Sequence, residues 1–188
     1  MAFSIQGMYD WAVQECQRTD VAYSQTYRNQ QVNPNTGKTC YDCSSFTFFA
    51  CWLGGGLDVG ALGYSTDLNA YHNGTANAWT VTWMIRSLQN VSGFQFFDPK
   101  TEAWQAGDIL AKTRTHTEIC YLPPRQTMGA HSPSGGVSIN NYQTGIDYYD
   151  VLIRYTDSPG PVPPGPTLPM PIWLIKRAIE NQKGGIML

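Results

Sequence analysis

Charge is scarce in this sequence. Of 188 residues only 14% are Asp, Glu, Lys or Arg, against roughly 25% in average soluble proteins. The 12 Lys and Arg against 14 Asp and Glu leave a formal charge of −2. A balance so near zero lacks the basic footprint that a phosphate backbone demands, which excludes nucleic acid as the main partner. No uninterrupted apolar run approaches the roughly 18 residues of a membrane span, so the chain is not expected to be transmembrane. The amino-terminal Met-Ala-Phe-Ser-Ile-Gln has no basic stretch ahead of an apolar one. A standard secretory signal is therefore not read there, and synthesis is expected to end in the cytosol. Histidine is rare, at three residues, and the five cysteines are an odd number. In a chain too long to need a disulfide scaffold, that points to reduced thiols with at least one reactive.

What is present is enough apolar material, 42% of the chain, for one core. The composition breaks after residue 156: Asp157 to Pro171 is so rich in proline that it favours extended polyproline II, a semi-rigid spacer. The expected organisation is a domain over 1–156, a Pro-rich linker over 157–171, and a short tail helix within 172–188. Lys176, Arg177 and Lys183 beside apolar residues suit that tail for docking or for packing on the domain.

Inside the domain, Ile5, Met8, Ala12 and Cys16 recur at helical spacing behind Ser4 as cap. After Asp42, the residues Phe46, Phe49, Ala50 and Leu53 repeat the pattern, which the glycines 54–56 end. Weaker helical signals cover Thr66 to His72 behind Ser65, and Thr80 to Leu88. From Phe94 onward the chain reads as strands: Phe94 to Phe97, Asp108 to Ala111, His116 to Leu122, Thr127 to Ser132, Gly135 to Ile139 and Tyr149 to Tyr155. Helices first and strands later predicts an α+β domain with an antiparallel sheet packed on the helices.

The second helix puts Cys43 in its first turn. A cysteine nucleophile attacks as thiolate, and the positive end of a helix together with a histidine in reach favours that form. His116 opens one predicted strand and His131 ends the next. Joined by the turn at residues 123–126, the two strands lie side by side, which brings the histidines together. The expected division of labour has His116 take the Cys43 proton and return it to the leaving amine, while His131 orients the His116 ring.

Tyr41-Asp42-Cys43-Ser44-Ser45-Phe46, Gly107-Asp108-Ile109-Leu110, His116 at a strand start and His131-Ser132 together resemble the NlpC-type papain-like cell-wall hydrolases. The likeness is greatest to the bacteriophage peptidoglycan hydrolase branch, where a Tyr-Ser pair like Tyr23-Ser24 precedes the Asp-Cys-Ser motif. The resemblance covers about residues 5 to 155. It implies a papain-like NlpC-type fold, Cys43 as nucleophile, His116 as base, His131 as third polar residue, and Tyr23 as a hydroxyl donor to the oxyanion beside the Cys43 N–H. Asp42, Ser44, Ser45 and Glu118 are read as substrate-binding residues. Glu118 stands where the family has a small residue, and the stretch between Tyr23 and Cys43 is longer than usual; both are expected to reshape the groove.

The implied substrate is peptidoglycan, cut either between D-glutamate and the diamino acid of the stem peptide or at the N-acetylmuramoyl-L-alanine amide, with no cofactor and no metal. An endolysin or a virion-associated wall hydrolase follows from the branch, with access through a holin pore from the host cytoplasm or from outside. The competing functions are a degenerate tail or wall-binding protein and a CHAP-type amidase or thiol acyltransferase. Cys16, Cys51 and Cys120 read as core residues, and His72 as a surface residue closing a helix. Cys40 and Cys43 have the spacing of a zinc knuckle or redox pair, but no second pair follows. Asp108 reads equally as turn-shaping or functional. Trp79, Trp83 and Trp104 are candidates to face a glycan or stem peptide.

Overall fold

The computed structural model describes residues 2–124, 126–141 and 148–157. Ser4 caps the first helix, α1 (Ile5–Gln17): its hydroxyl accepts the Gly7 N–H at 3.0 Å, and Ile5, Met8, Tyr9 and Ala12 turn into the core. The periodicity predicts this helix, because one apolar stripe needs one surface to cover it. Three short strands follow, β1 (Val21–Tyr23), β2 (Asn29–Val32) and β3 (Thr39–Tyr41). They form a small sheet ordered β1-β3-β2, with β1 parallel and β2 antiparallel to β3. Sequence reasoning passes over them, since Asn29, Gln30 and Gln31 are poor or indifferent strand formers. Tertiary bonds hold them instead: the buried Asn29 amide donates to Ala76 O at 3.2 Å and accepts the Ala78 N–H at 3.2 Å.

The second helix, α2 (Cys43–Phe49), begins with a reciprocal cap. Asp42 accepts the Ser45 N–H at 2.7 Å, and the Ser45 hydroxyl accepts the Asp42 N–H at 2.9 Å, which satisfies two donors that a helix start leaves open. All seven residues of α2 are buried. Its hydroxyls survive burial because each donates to a carbonyl: Ser44 to Trp79, Ser45 to Arg28, and Thr47 to Cys43. Phe46, Phe48 and Phe49 anchor the helix in an aromatic cluster with Trp11, Tyr41, Tyr71 and Trp79. Truncating one such phenylalanine costs about 3–5 kcal/mol.

Instead of stopping before the glycines, α2 runs into a π-helical turn, Ala50–Gly54. A Cβ on Gly54 would stand 2.6 Å from Trp11 Cβ and 2.7 Å from the Gly7 carbonyl oxygen. Glycine there allows this turn and α1 to meet backbone to backbone. Two short helices complete the first half, α3 (Leu68–His72) capped by Asp67 and α4 (Val81–Leu88) capped by Thr80. The cap of α3 is thus Asp67 and not Ser65.

The remaining strands are β4 (Phe94–Phe97), β5 (Ile109–Lys112), β6 (His116–Leu122), β7 (Gln126–Ser132), β8 (Gly136–Asn141) and β9 (Val151–Tyr155). They build one sheet ordered β4-β9-β5-β6-β7-β8, every neighbouring pair antiparallel. Helices α1 and α2 lie against β6 and β7. The fold is mixed α+β with helices on an antiparallel sheet. No helix among the described residues is long and apolar enough to cross a membrane. The linker beyond Asp157 and the tail helix lie outside the described residues.

Candidate active site

Strand β6 pairs with β7 in a register that sets Ile119 against Met128 and Cys120 against Thr127. Followed three residues from Ile119, the same ladder brings His116 opposite His131. Because side chains alternate across a sheet, His116, Glu118, Thr127 and His131 all project from one face. Cys43 packs with Ile119, Met128 and Ala130 of the opposite face, and its sulfur meets His116 at the start of β6.

Glu118 is the centre of this cluster and is fully buried. Its Oε1 accepts from His116 Nε2 at 2.7 Å and from His131 Nδ1 at 2.6 Å. Its Oε2 accepts from the Tyr149 hydroxyl at 2.6 Å and from the Thr127 hydroxyl. Burial alone would raise the Glu118 pKa, but the hydrogen bonds and charge of the two imidazoles hold it well below the usual carboxylate range.

His116 faces both ways. Burial pulls its pKa down, yet its bond to the Cys43 sulfur and its bond to Glu118 outweigh that and push it up to about 9. At neutral pH the ring is therefore imidazolium, with Glu118 on Nε2. Cys43 Sγ lies 4.0 Å from the Thr115 carbonyl, at the mouth of the β5–β6 turn. His131 has an acceptor at each nitrogen: Glu118 on Nδ1 and the Ser138 carbonyl, 2.8 Å away, on Nε2. Cys43, His116, Glu118 and His131 thus form a chain of bonded groups centred on the Glu118 carboxylate.

His116, Glu118 and His131 also have the composition of a metal site, with ligand atoms all within 4.8 Å of one another. The spacings decide between the readings. Two ligands about 2.0–2.2 Å from one tetrahedral ion sit about 3.3 Å apart, whereas both nitrogens here are 2.6–2.7 Å from a single oxygen, the separation of a charge-assisted hydrogen bond. In this arrangement the cluster is held together by hydrogen bonds. Cys40, the other half of the C-x-x-C spacing, is buried on β3 with its thiol donating to Lys38 O at 3.4 Å.

Against this geometry the comparisons are silent. No family model, no curated protein and no solved structure matches the chain.

The residues singled out from the sequence fall into two groups. Cys43, His116, Glu118 and His131 come together. Glu118 does so in a role that the sequence reading misassigns: it is not a groove residue but the buried link between the two histidines, and His131 bonds the carboxylate that His116 also bonds. The available signal is the alternation of His116, Glu118 and Cys120 on β6 with Thr127, Gly129 and His131 on β7, which puts all six on one face.

Asp42, Ser44 and Ser45 do not line a surface. All three are buried and are spent on capping α2 and on bonds to Arg28 and Trp79. Their contribution is to fix where the helix, and so Cys43, begins. Tyr23 ends β1 opposite Tyr41, two residues before Cys43, and its phenol oxygen accepts from Gln25 Nε2, which leaves the phenol proton to donate elsewhere.

Burial pushes the thiols of Cys16, Cys40, Cys51 and Cys120 up, that of Cys16 to about 12, so they stay neutral and weakly nucleophilic. Trp79 is fully buried and Trp104 donates to Pro99 O beside Tyr149, while Trp83 is 55% exposed. His72 ends α3 on the surface, bonded to Gln30 at 3.1 Å. Asp108 is structural, gripped by Arg154 through Nε and Nη2, each at 2.8 Å.

Proposed function

We propose that the chain is a cysteine-dependent amide hydrolase of the bacterial cell wall, of the NlpC-type papain-like kind and of phage type. The observation that carries this reading is the Cys43–His116–Glu118 arrangement: a helix-start thiol, an imidazole bonded to it, and a buried carboxylate fixing the far side of that ring. These are the nucleophile, the proton carrier and the orienting group that acyl transfer requires.

In the proposed reaction the Cys43 sulfur attacks the amide carbonyl of a stem peptide, or of the muramoyl-L-alanine junction. The carbon–sulfur bond forms as the carbonyl π bond opens to an oxyanion, for which the Cys43 N–H and the Tyr23 hydroxyl are the candidate donors. Collapse breaks the carbon–nitrogen bond, and the His116 imidazolium gives its proton to the departing amine. Water then attacks the thioester while His116 takes its proton, returning acid product and free sulfur. The raised pKa of His116 suits it to the first of these steps, because it is already charged when the amine leaves. Neither step calls on a cofactor. The partner is peptidoglycan, reached from the host cytoplasm at lysis or from a virion at infection.

The test is digestion of purified peptidoglycan with wild type and Cys43→Ala, followed by amino-group release and mass spectrometry. Wild type is expected to free amino termini of a diamino acid or of L-alanine and no reducing sugar, and Cys43→Ala to release nothing above background with an unchanged melting temperature. Equal release by the two proteins, or none by wild type on walls from several bacteria, overturns the proposal.

A further inference from the structure

Helix α4 and the segments before it enclose an open groove of about 850 Å³, a volume within the range of small-ligand sites. Its wall contains Arg28, Tyr64, Asn77, Trp83, Arg86 and Ser87, and no acidic residue lines it. Two features mark it as something other than a crevice between helices. Trp83 is one of three large apolar side chains left exposed among the described residues, and the Arg86 guanidinium lies over its ring, 5.4 Å from the centroid. Stacked this way, the guanidinium keeps its N–H edge for a planar anion while the tryptophan holds it in place. In a chain with so few charges, a cation turned toward a groove without a carboxylate is an unbalanced charge.

The groove is linked through Arg28 to the residues that flank Cys43. Arg28 sits in its wall and reaches both neighbours of Cys43: its Nε is 3.1 Å from Asp42 Oδ2, and its Nη2 donates to Ser44 Oγ at 2.9 Å. Arg28 is thus tied to Asp42 and Ser44, and Arg86 is the other cation of the groove wall. Thr117 of β6 contacts the buried Met84 of α4 at 3.7 Å, which seats that helix on the domain with Trp83 and Arg86 outward.

We infer that this groove is a recognition site for an acidic peptide, in which Arg86 takes a free carboxylate and Trp83 covers the adjoining backbone. The inference deepens the wall-hydrolase reading and rests on it for the identity of the peptide. It places specificity for a stem peptide's free carboxyl group on α4.

The probe is the peptide L-alanyl-γ-D-glutamyl-L-lysine, with the D-glutamyl α-carboxyl either free or converted to the amide, titrated calorimetrically into the full chain carrying Cys43→Ala. The free acid is expected to bind about tenfold to a hundredfold more tightly than the amide, the worth of a hydrogen-bonded charge pair. Adding Arg86→Gln should erase that preference, and adding Trp83→Ala should weaken both ligands about equally. Both side chains are exposed, so circular dichroism should be unchanged. In otherwise wild-type protein, Arg86→Gln should raise KM on peptidoglycan and spare kcat. Equal binding of acid and amide, no binding of either, or a preference that survives Arg86→Gln overturns the inference. If wild type digests walls and Arg86→Gln leaves KM alone, the groove falls and the hydrolase stands. Arg86-dependent peptide binding by a chain that cleaves no wall leaves the groove standing without the hydrolase.

Discussion

Asp108 and Glu118 are both fully buried carboxylates, one just before β5 and one on the adjoining β6, yet they are neutralised by opposite means. Asp108 accepts two bonds from Arg154, whose guanidinium is further tied to Glu102 at 2.6 Å and to the Ala103 carbonyl. A guanidinium does not give up its proton in a protein, so this pair is permanent. Glu118 is paired instead with two imidazoles, side chains that, unlike a guanidinium, can give up a proton. One carboxylate fastens β9 to the start of β5; the other sits behind a sulfur and a proton carrier. Burial and satisfaction of hydrogen bonds do not separate a staple from a chemical site. The partner's ability to titrate does.

Substitution should break the comparison cleanly. The largest effect is expected from Glu118→Gln, which keeps size and burial but presents a neutral amide to His116. Hydrolysis of peptidoglycan should fall about 10³- to 10⁴-fold, the penalty for losing an orienting carboxylate, and the chain should remain folded; a variant within tenfold of wild type would remove Glu118 from the chemistry. Arg154→Met should do the reverse. Stranding Asp108 without its cation is expected to lower stability by about 3–5 kcal/mol, read by urea unfolding, while the rate per folded molecule stays near wild type.

The two halves of the β6–β7 cluster also set a pH window. Glu118 has a depressed pKa in the folded chain, so its stabilisation is present above its ordinary value of about 4.5 and is lost as pH falls. His116 has a raised one, so its stabilisation is complete below about 6.5 and is lost as pH rises through about 9. Melting temperature should therefore fall on both sides, and the alkaline loss should vanish in His116→Gln. Activity should decline near pH 9, where the imidazolium that protonates the leaving amine disappears. This moves the histidine limb from the acid side, where an ordinary imidazole predicts it, to the alkaline side. The smallest effect is expected at Cys16, half-buried on α1 with a thiol kept neutral: Cys16→Ala should leave hydrolysis within twofold.

Much of this was readable in advance where local rules govern. The caps Ser4, Asp42 and Thr80 announce their helices, and the strands of the large sheet follow from alternation, including the hairpin that brings His116 to His131. What sequence reasoning missed depends on contacts between distant segments. Glu118 looked like a groove residue because its neighbours Thr127, on β7, and Tyr149, just before β9, come from distant segments. Asp42, Ser44 and Ser45 looked like substrate contacts because a motif around a nucleophile does not reveal which members are spent on holding the helix. The strands β1 to β3 carry weak propensity and exist through bonds such as those of Asn29 to Ala76 and Ala78.

The rod that begins at Cys43 and runs through the π-helical turn to Gly54 has a further bearing on how such a molecule can change. Its first seven residues have no solvent face, and its far end is pinned by backbone contact with α1. The position of the sulfur is consequently an outcome of interior packing. Divergence in a lineage of such chains would have to proceed through compensated exchanges among the phenylalanines and their aromatic neighbours, with the surface free to drift much faster than the reactive centre.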